Sequence, residues 1–316
     1  MRILFLGTGE IGLPTLHSLL ADPRHQVVGC VTQPDKPVGR RQELQAPEVK
    51  KVALEAGIPV FQPVRVRAPE ALDQLRALAP EFIVVVAYGQ ILPKALLDMP
   101  SRACLNLHAS LLPRHRGASP IQAAIEAGDR ETGMTVMYMA EGLDSGDVLL
   151  KKTLPIRRRE TGGTLHDRLA AIGPDALNEA LGLLQGGAAP RIPQNPDLVT
   201  YAGKLGREHG RIDWRLGCVQ VERKIRAMNP WPAAHTLVPG AGGNKVLKIF
   251  RAIVVRKTGG IPGQVLKTGP EGLLVAAGTG SVLVREVQLE GKKRMEAGEF
   301  LRGHAFEPGT MLEGGA

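Results

Sequence analysis

Apolar positions in the first half of the chain follow two alternating rhythms. Short apolar runs at Arg2–Gly7 and Gln26–Thr32 flank a stretch of helical period, Leu13–Leu20, and Glu48–Ala56 repeats that period. Residues 81–87 read EFIVVVA, apolar at nearly every position. A strand with one wet face would alternate, so this one is expected to be covered on both faces, as in a parallel sheet. Ala103–His108 predicts a further short strand. Pro120–Ala127 predicts a helix opened by Ser119 as N-cap with proline in its first turn. Thr135–Ala140 and Val148–Leu154 predict paired strands around the Gly142–Asp147 loop, and Thr164–Leu184 one long helix. The alternation predicts an α/β fold with a doubly wound, mainly parallel, Rossmann-like sheet, whose ligands sit beyond the carboxyl ends of the strands.

The rhythm breaks after Gln185, where the composition shifts to Gly, Ala, Pro, Asn and Gln (QGGAAPRIPQNPD) up to about Gly206. Such a stretch reads as a linker. Beyond it, Cys218–Met228 predicts a basic helix. Short strands follow at Lys245–Val255, Gly263–Leu266, Leu273–Ala276 and Val282–Leu289, separated by Gly/Pro turns. That spacing suggests a small β-barrel. A chain of 316 residues also exceeds what one core usually organises. The expected division is residues 1–186, a linker at 187–206, and residues 207–316.

Charge adds a partner class. The formal net charge is +9, and residues 207–316 hold 17 Lys/Arg against 10 Asp/Glu, so most of the excess sits in the last third. A basic surface of this kind is either simply solvated or meets a polyanion such as RNA. With only 11 aromatic residues in the chain, phosphate contacts rather than base stacking should dominate any RNA binding. Cys30, Cys104 and Cys218 are far apart with no paired spacing, which argues against a disulfide framework and a structural zinc site and fits a reducing cytoplasm. No run of about 18 apolar residues suggests a membrane span, and the apolar start at Met1–Gly7 is too short for a signal peptide.

Two groups of residues carry candidate chemistry. Gly7-Thr8-Gly9-Glu10-Ile11-Gly12 matches the dinucleotide fingerprint G-x-G-x-x-G. That fingerprint also wants an acidic residue closing the second strand, where this chain has Thr32-Gln33-Pro34. The glycines are then read as making a tight strand-to-helix turn, with a nicotinamide-dependent oxidoreductase as the reading left open beside it. The second group is Asn106, His108 and Asp144. Asn106 and His108 lie two apart near a strand's carboxyl end, so they face the same side of the sheet. Asp144 sits in a Gly-flanked loop. Each has a plain structural use: an imidazole holding a backbone, an amide capping a loop, a carboxylate bonding its own turn. There is no serine elbow and no metal-ligand spacing. An amide, an imidazole and a carboxylate without an activated nucleophile suit direct acyl transfer between two bound substrates.

The string NLHASLLPRHRGASPIQAAIEAGDRETGMTV, with GLDSGDVL further on, resembles the signature of formyltransferases that use 10-formyltetrahydrofolate. Gln33-Pro34-Asp35 with Gly39-Arg40, Pro59–Pro63, Ala87–Pro93, Arg211–Trp214 and Ile225–Pro232 resemble the branch that formylates methionyl-tRNA, and the likeness runs through essentially the whole chain. It implies an enzyme whose catalytic residues are Asn106, His108 and Asp144. Ser110, Leu111, Leu112 and Pro113, with Gln90, Ile91 and Leu92, are implied to contact the folate. The implied partners are an initiator methionyl-tRNA and tetrahydrofolate, with 10-formyltetrahydrofolate as formyl donor and no metal, NAD, membrane or obligate protein partner. Residues 207–316 are then an oligonucleotide-binding (OB)-like, tRNA-binding domain, with Lys204, Arg207, Lys245 and Lys248 as candidate phosphate contacts.

Some positions depart from the family pattern. The loop after Gly39 often carries a basic Gly-Lys-Lys stretch that enters the acceptor stem; here Arg40 and Arg41 are its only cations before Glu43. His115 stands where an aromatic residue is common, and the first turn reads Gly-Thr-Gly-Glu instead of Gly-Thr-Pro. A formyltransferase acting on a sugar-nucleotide or another small amine would share much of this pattern, and a formyl-folate hydrolase would share the Asn/His/Asp set.

Overall fold

A computed structural model describes residues 1–39, 42–240, 243–256 and 259–314. Arg40 and Arg41 lie outside the described residues. The chain divides into two compact units. The first holds Met1–Pro120, Glu131–Pro155 and His166–Gly203; the second holds Ile121–Arg130, Ile156–Leu165 and the chain from Lys204 on.

The first unit is built on a seven-stranded sheet. Its strands are β1 (Arg2–Gly7), β2 (Gln26–Val31), β3 (Val60–Phe61), β4 (Phe82–Val86), β5 (Ala103–His108), β6 (Glu131–Tyr138) and β7 (Val148–Pro155), in the order β7-β6-β5-β4-β1-β2-β3. β1 to β5 pair in parallel. β6 runs antiparallel to β5 and β7 antiparallel to β6. The apolar run at residues 82–86 is buried at every position, as expected of a strand flanked by β1 and β5 and covered on both faces. Leu4, Leu6, Ile83 and Val85 pack with Leu75, Leu92, Leu96 and Cys104 in one cluster. Burial pushes the Cys30 and Cys104 thiols up to about 12, and all three cysteines are free and buried.

β6 begins four residues before the predicted Thr135, pairing Glu131 with Pro155. The sequence hides this start behind Gly133, which reads as a turn. A Cβ there would lie 2.1 Å from the Lys152 carbonyl, so the glycine permits close strand approach. The long helix spans Gly162–Gln185 and carries Pro174 in its interior. β3 and the helices Pro69–Ala77 and Lys94–Leu97 are among the elements that the sequence reading missed.

The second unit is an antiparallel sheet of β8 (Ala234–Val238), β9 (Lys245–Val255), β10 (Val265–Gly269), β11 (Gly272–Ala276) and β12 (Ser281–Leu289), in the order β8-β9-β12-β11-β10, with β13 (Met295–Glu296) on β12. The helix Cys218–Ala227 buries Cys218, Val221 and Ile225, the i, i+3, i+7 stripe expected of it. The two edges of the sheet meet the same C-terminal segment. Leu237 of β8 exchanges backbone bonds with Glu313 at 3.0 and 3.1 Å. At the other edge Val265 donates to Thr310 at 2.8 Å and Leu312 to Gly263 at 2.8 Å. Residues 309–313 thereby close the sheet into a barrel.

Candidate active site

β5 delivers Asn106 and His108 to the carboxyl end of the sheet, where residues on one strand two apart share a face. Both are buried, at 8% and 6% exposure, although both are polar. Their neighbours across the ladder are Met137 and Thr135 of β6. The His108 ring reaches the His115 carbonyl through Nε2 at 2.9 Å. A carbonyl only accepts, so Nε2 is a donor here. The other ring nitrogen, Nδ1, faces Asp144 Oδ2 at 3.7 Å. The Asn106 amide makes no side-chain hydrogen bond among the described residues.

Asp144 is held from both ends. Its Oδ2 accepts from the Gly117 amide at 2.7 Å, and its carbonyl accepts from Gln194 Nε2 at 2.8 Å. Its backbone is left-handed, φ 45°, a conformation that costs a non-glycine residue about 1 kcal/mol or more and persists only under such restraint. The flanking Gly146 permits the turn: a Cβ there would sit 1.8 Å from the Tyr138 carbonyl.

The loop after β5 folds on itself. The Ser110 hydroxyl donates to the Arg114 carbonyl at 2.7 Å. Thr135 Oγ1 donates to the Ser110 carbonyl at 2.6 Å and accepts from the Leu112 amide at 3.2 Å. Leu112 is fully buried with Met137 and Val148 and precedes a cis peptide to Pro113. Leu111 and Pro113 are half-buried. The Ser110 hydroxyl and the Leu112 side chain thus serve the loop itself, and Thr135 is a structural partner that sequence reasoning missed.

In the loop after β4, the Gln90 side chain accepts from the Val66 amide at 2.8 Å and donates to the Pro63 carbonyl at 3.2 Å. Leu92 belongs to the core, whereas Ile91 is 88% exposed. The glycine-rich first turn packs tightly under this loop: the Gly9 amide donates to the Ala87 carbonyl at 3.3 Å, and a Cβ on Gly12 would meet Val86 at 3.2 Å. Thr8 Oγ1 donates to the Tyr88 carbonyl at 3.0 Å and accepts from the Gln33 amide at 3.1 Å. The Thr8 hydroxyl and the Gly9 amide are thus engaged by their own chain, in keeping with the packing role of these glycines.

Lys204, Arg207, Lys245 and Lys248 are exposed residues of the second unit and form no ion pair among the described residues. His235, Lys248 and Gln288 stand side by side across β8, β9 and β12. Among the described residues no group of three His, Cys, Asp or Glu is arranged to hold a metal ion, and no helix is long and apolar enough to cross a membrane.

Comparison with known proteins assigns the chain to one family. Residues 1–181 fit the family model described as formyl transferase, and residues 204–305 the model of the formyl transferase C-terminal domain. The methionyl-tRNA formyltransferase of Geobacter sulfurreducens is 48% identical over 312 residues, covering 99% of this chain and 96% of the relative. That of Geotalea daltonii is 50% identical over 312 residues, covering 99% and 98%. Among solved structures, WlaRD, a sugar 3N-formyl transferase, superposes with a TM-score of 0.67 at 16% identity over 93% of this chain and 99% of that one, a likeness of fold alone. With both family models matched in sequence order and relatives near half identity along its length, the chain belongs to the formyl transferase family.

Proposed function

We infer that this chain transfers the formyl group of 10-formyltetrahydrofolate to the free amino group of methionyl-initiator tRNA, as a one-carbon transferase of translation initiation. The observation that carries this is the near-complete match, at 48–50% identity, to relatives that bear that activity in their names. Residues 1–186 are proposed as the catalytic domain, 187–206 as the linker and 207–316 as the tRNA-binding domain, acting in the cytoplasm.

The site residues take roles that follow from their chemistry. The neutral amine attacks the formyl carbon, a C–N bond forms, and negative charge develops on the formyl oxygen. Asn106 donates its amide hydrogen to that oxygen. His108 does the same, exchanging the His115 carbonyl for the oxyanion. Comparable donors contribute about 3–4 kcal/mol each. As the bond to the folate nitrogen N10 breaks, the proton leaving the amine passes to N10. Asp144 orients His108 and assists that transfer. Ser110–Pro113 and Gln90–Leu92 flank the folate. Leu111, Pro113 and Ile91 offer side-chain surface and Gln90 offers backbone groups, while the fully buried Ser110 shapes the loop. Lys204, Arg207, Lys245 and Lys248, with Arg40 and Arg41, meet tRNA phosphates.

Incubation with 10-formyltetrahydrofolate and charged initiator tRNA should yield formyl-methionyl-tRNA, with elongator methionyl-tRNA, free methionine and an amino-sugar nucleotide poor acceptors. Formylation of the sugar but not the tRNA would overturn the assignment. Asn106→Ala should lower kcat about 100- to 1000-fold at unchanged tRNA affinity. That affinity should weaken steeply with salt and be largely lost on removing residues 207–316.

A further inference from the structure

The segment 191–202, Gly/Pro-flanked and linker-like in composition, is bonded along its length to both loops of the candidate site. Val148 and Ile192 exchange backbone bonds at 2.8 and 3.0 Å. The Thr200 carbonyl accepts from the Arg116 amide at 2.8 Å, and the Ala202 carbonyl from the Ala118 amide at 2.9 Å. Thr200 Oγ1 accepts from the His115 amide at 2.8 Å, and His115 supplies the carbonyl that holds His108.

Gln194 stands at the centre of this arrangement. Its Nε2 donates to the Asp144 carbonyl at 2.8 Å and to the Gly146 carbonyl at 2.7 Å. Its Oε1 accepts from Arg116 Nε at 3.0 Å and Nη2 at 2.7 Å. A glutamine amide has two donors and two acceptor sites, and all four are used. Its donors grip the main chain of Asp144, the residue with the left-handed backbone. The carboxylate of the same residue is gripped by the amide of Gly117, which pairs with Ala202. One segment therefore restrains Asp144 through its carbonyl and its carboxylate, and restrains His108 through His115.

We propose that Gln194 is a positioning residue for formyl transfer, fixing the Asp144 turn so that its carboxylate faces His108. This rests on the reading of Asp144 and His108 as the pair that handles the proton. Removing the grip leaves Asp144 free to relax from its strained conformation, and misplacement by about 1 Å in such a site costs turnover on the order of 100-fold without changing what is bound.

The test is a double-mutant cycle in the full-length protein. Gln194→Met keeps the side chain's length and removes all four bonds. Gln194→Glu keeps an acceptor for Arg116 and removes both donors. Each is expected to lower kcat about 10- to 100-fold, with KM for 10-formyltetrahydrofolate and tRNA Kd little changed. In an Asp144→Asn background the same substitutions should cost less than about 3-fold more, because the group they position is already disabled. An equal loss in both backgrounds, or a change confined to KM or Kd, would overturn the positioning role. Normal kcat in both Gln194 variants with Asp144→Asn inactive would overturn it too, whereas full turnover in Asp144→Asn alone would instead sink the catalytic reading of Asp144.

Discussion

Thr135 gives the loop after β5 its shape. Its hydroxyl, on a residue with no exposed surface, holds one carbonyl and one amide of the Ser110–Leu112 turn. Valine has the same outline without the hydroxyl, so Thr135→Val would leave two backbone groups unpaired out of water. Each such group costs roughly 1–3 kcal/mol. We expect Thr135→Val to lower the unfolding free energy by about 2 kcal/mol or more in denaturant titrations, and Thr135→Ser to lose less than about 1 kcal/mol. Equal stability of the two variants would deny the hydroxyl this role. At this scale the sequence was only partly legible. Asn106, His108 and Asp144 could be singled out by their places at a strand's carboxyl end and in a Gly-flanked loop, and by the resemblance they help to carry. Thr135 could not, because threonine is an ordinary strand former, and nothing in its own neighbourhood announces a partner 25 residues away.

Among elements, the β12–β13 hairpin shows how a ladder is locked by charge. Arg294 donates to both carboxylate oxygens of Glu286 at 2.7 Å while its guanidinium lies 4.1 Å over the Phe250 ring. The hydrogen bond from Arg294 holds the Glu286 carboxyl below its ordinary range, against the opposing effect of burial. The folded state binds that proton more weakly than the unfolded chain, so the contribution is full above the ordinary glutamate pKa and fades as pH falls through the lowered one. Glu286→Gln should therefore lower the melting temperature at neutral pH, by an amount corresponding to about 1 kcal/mol. The gap from the unsubstituted protein should close in acid; a gap independent of pH would exclude the ion pair as its cause. Neither this lock nor β8 was read from the sequence. β8 alternates buried and half-buried positions, but Ala234, Thr236 and Val238 on one face and His235 and Leu237 on the other differ too little in polarity to show a period.

For the whole molecule, the order of strands and helices was legible because it depends on apolar runs long enough to carry a period. The change of composition at Gln185 was legible as well, but the work of residues 191–202 was not. Gly, Pro, Asn and Gln mark a chain that leaves regular structure, and they are silent about which loops its amides and carbonyls will hold. The last third was read as a barrel from four runs, and the closure came from residues 309–313, a stretch with no strand pattern of its own. That closure bears on how the protein behaves at high concentration. Displace those residues, and Leu237 of β8 at one edge and Gly263 and Val265 at the other lose their backbone partners, which leaves a template on which another copy can add its own strand. Truncation before Glu307 should appear in light scattering as concentration-dependent self-association, whereas a truncated protein that stays monomeric would mean the two edges protect themselves. A few residues that look like a frayed end would then be what keeps the folded protein from becoming a building block for aggregates.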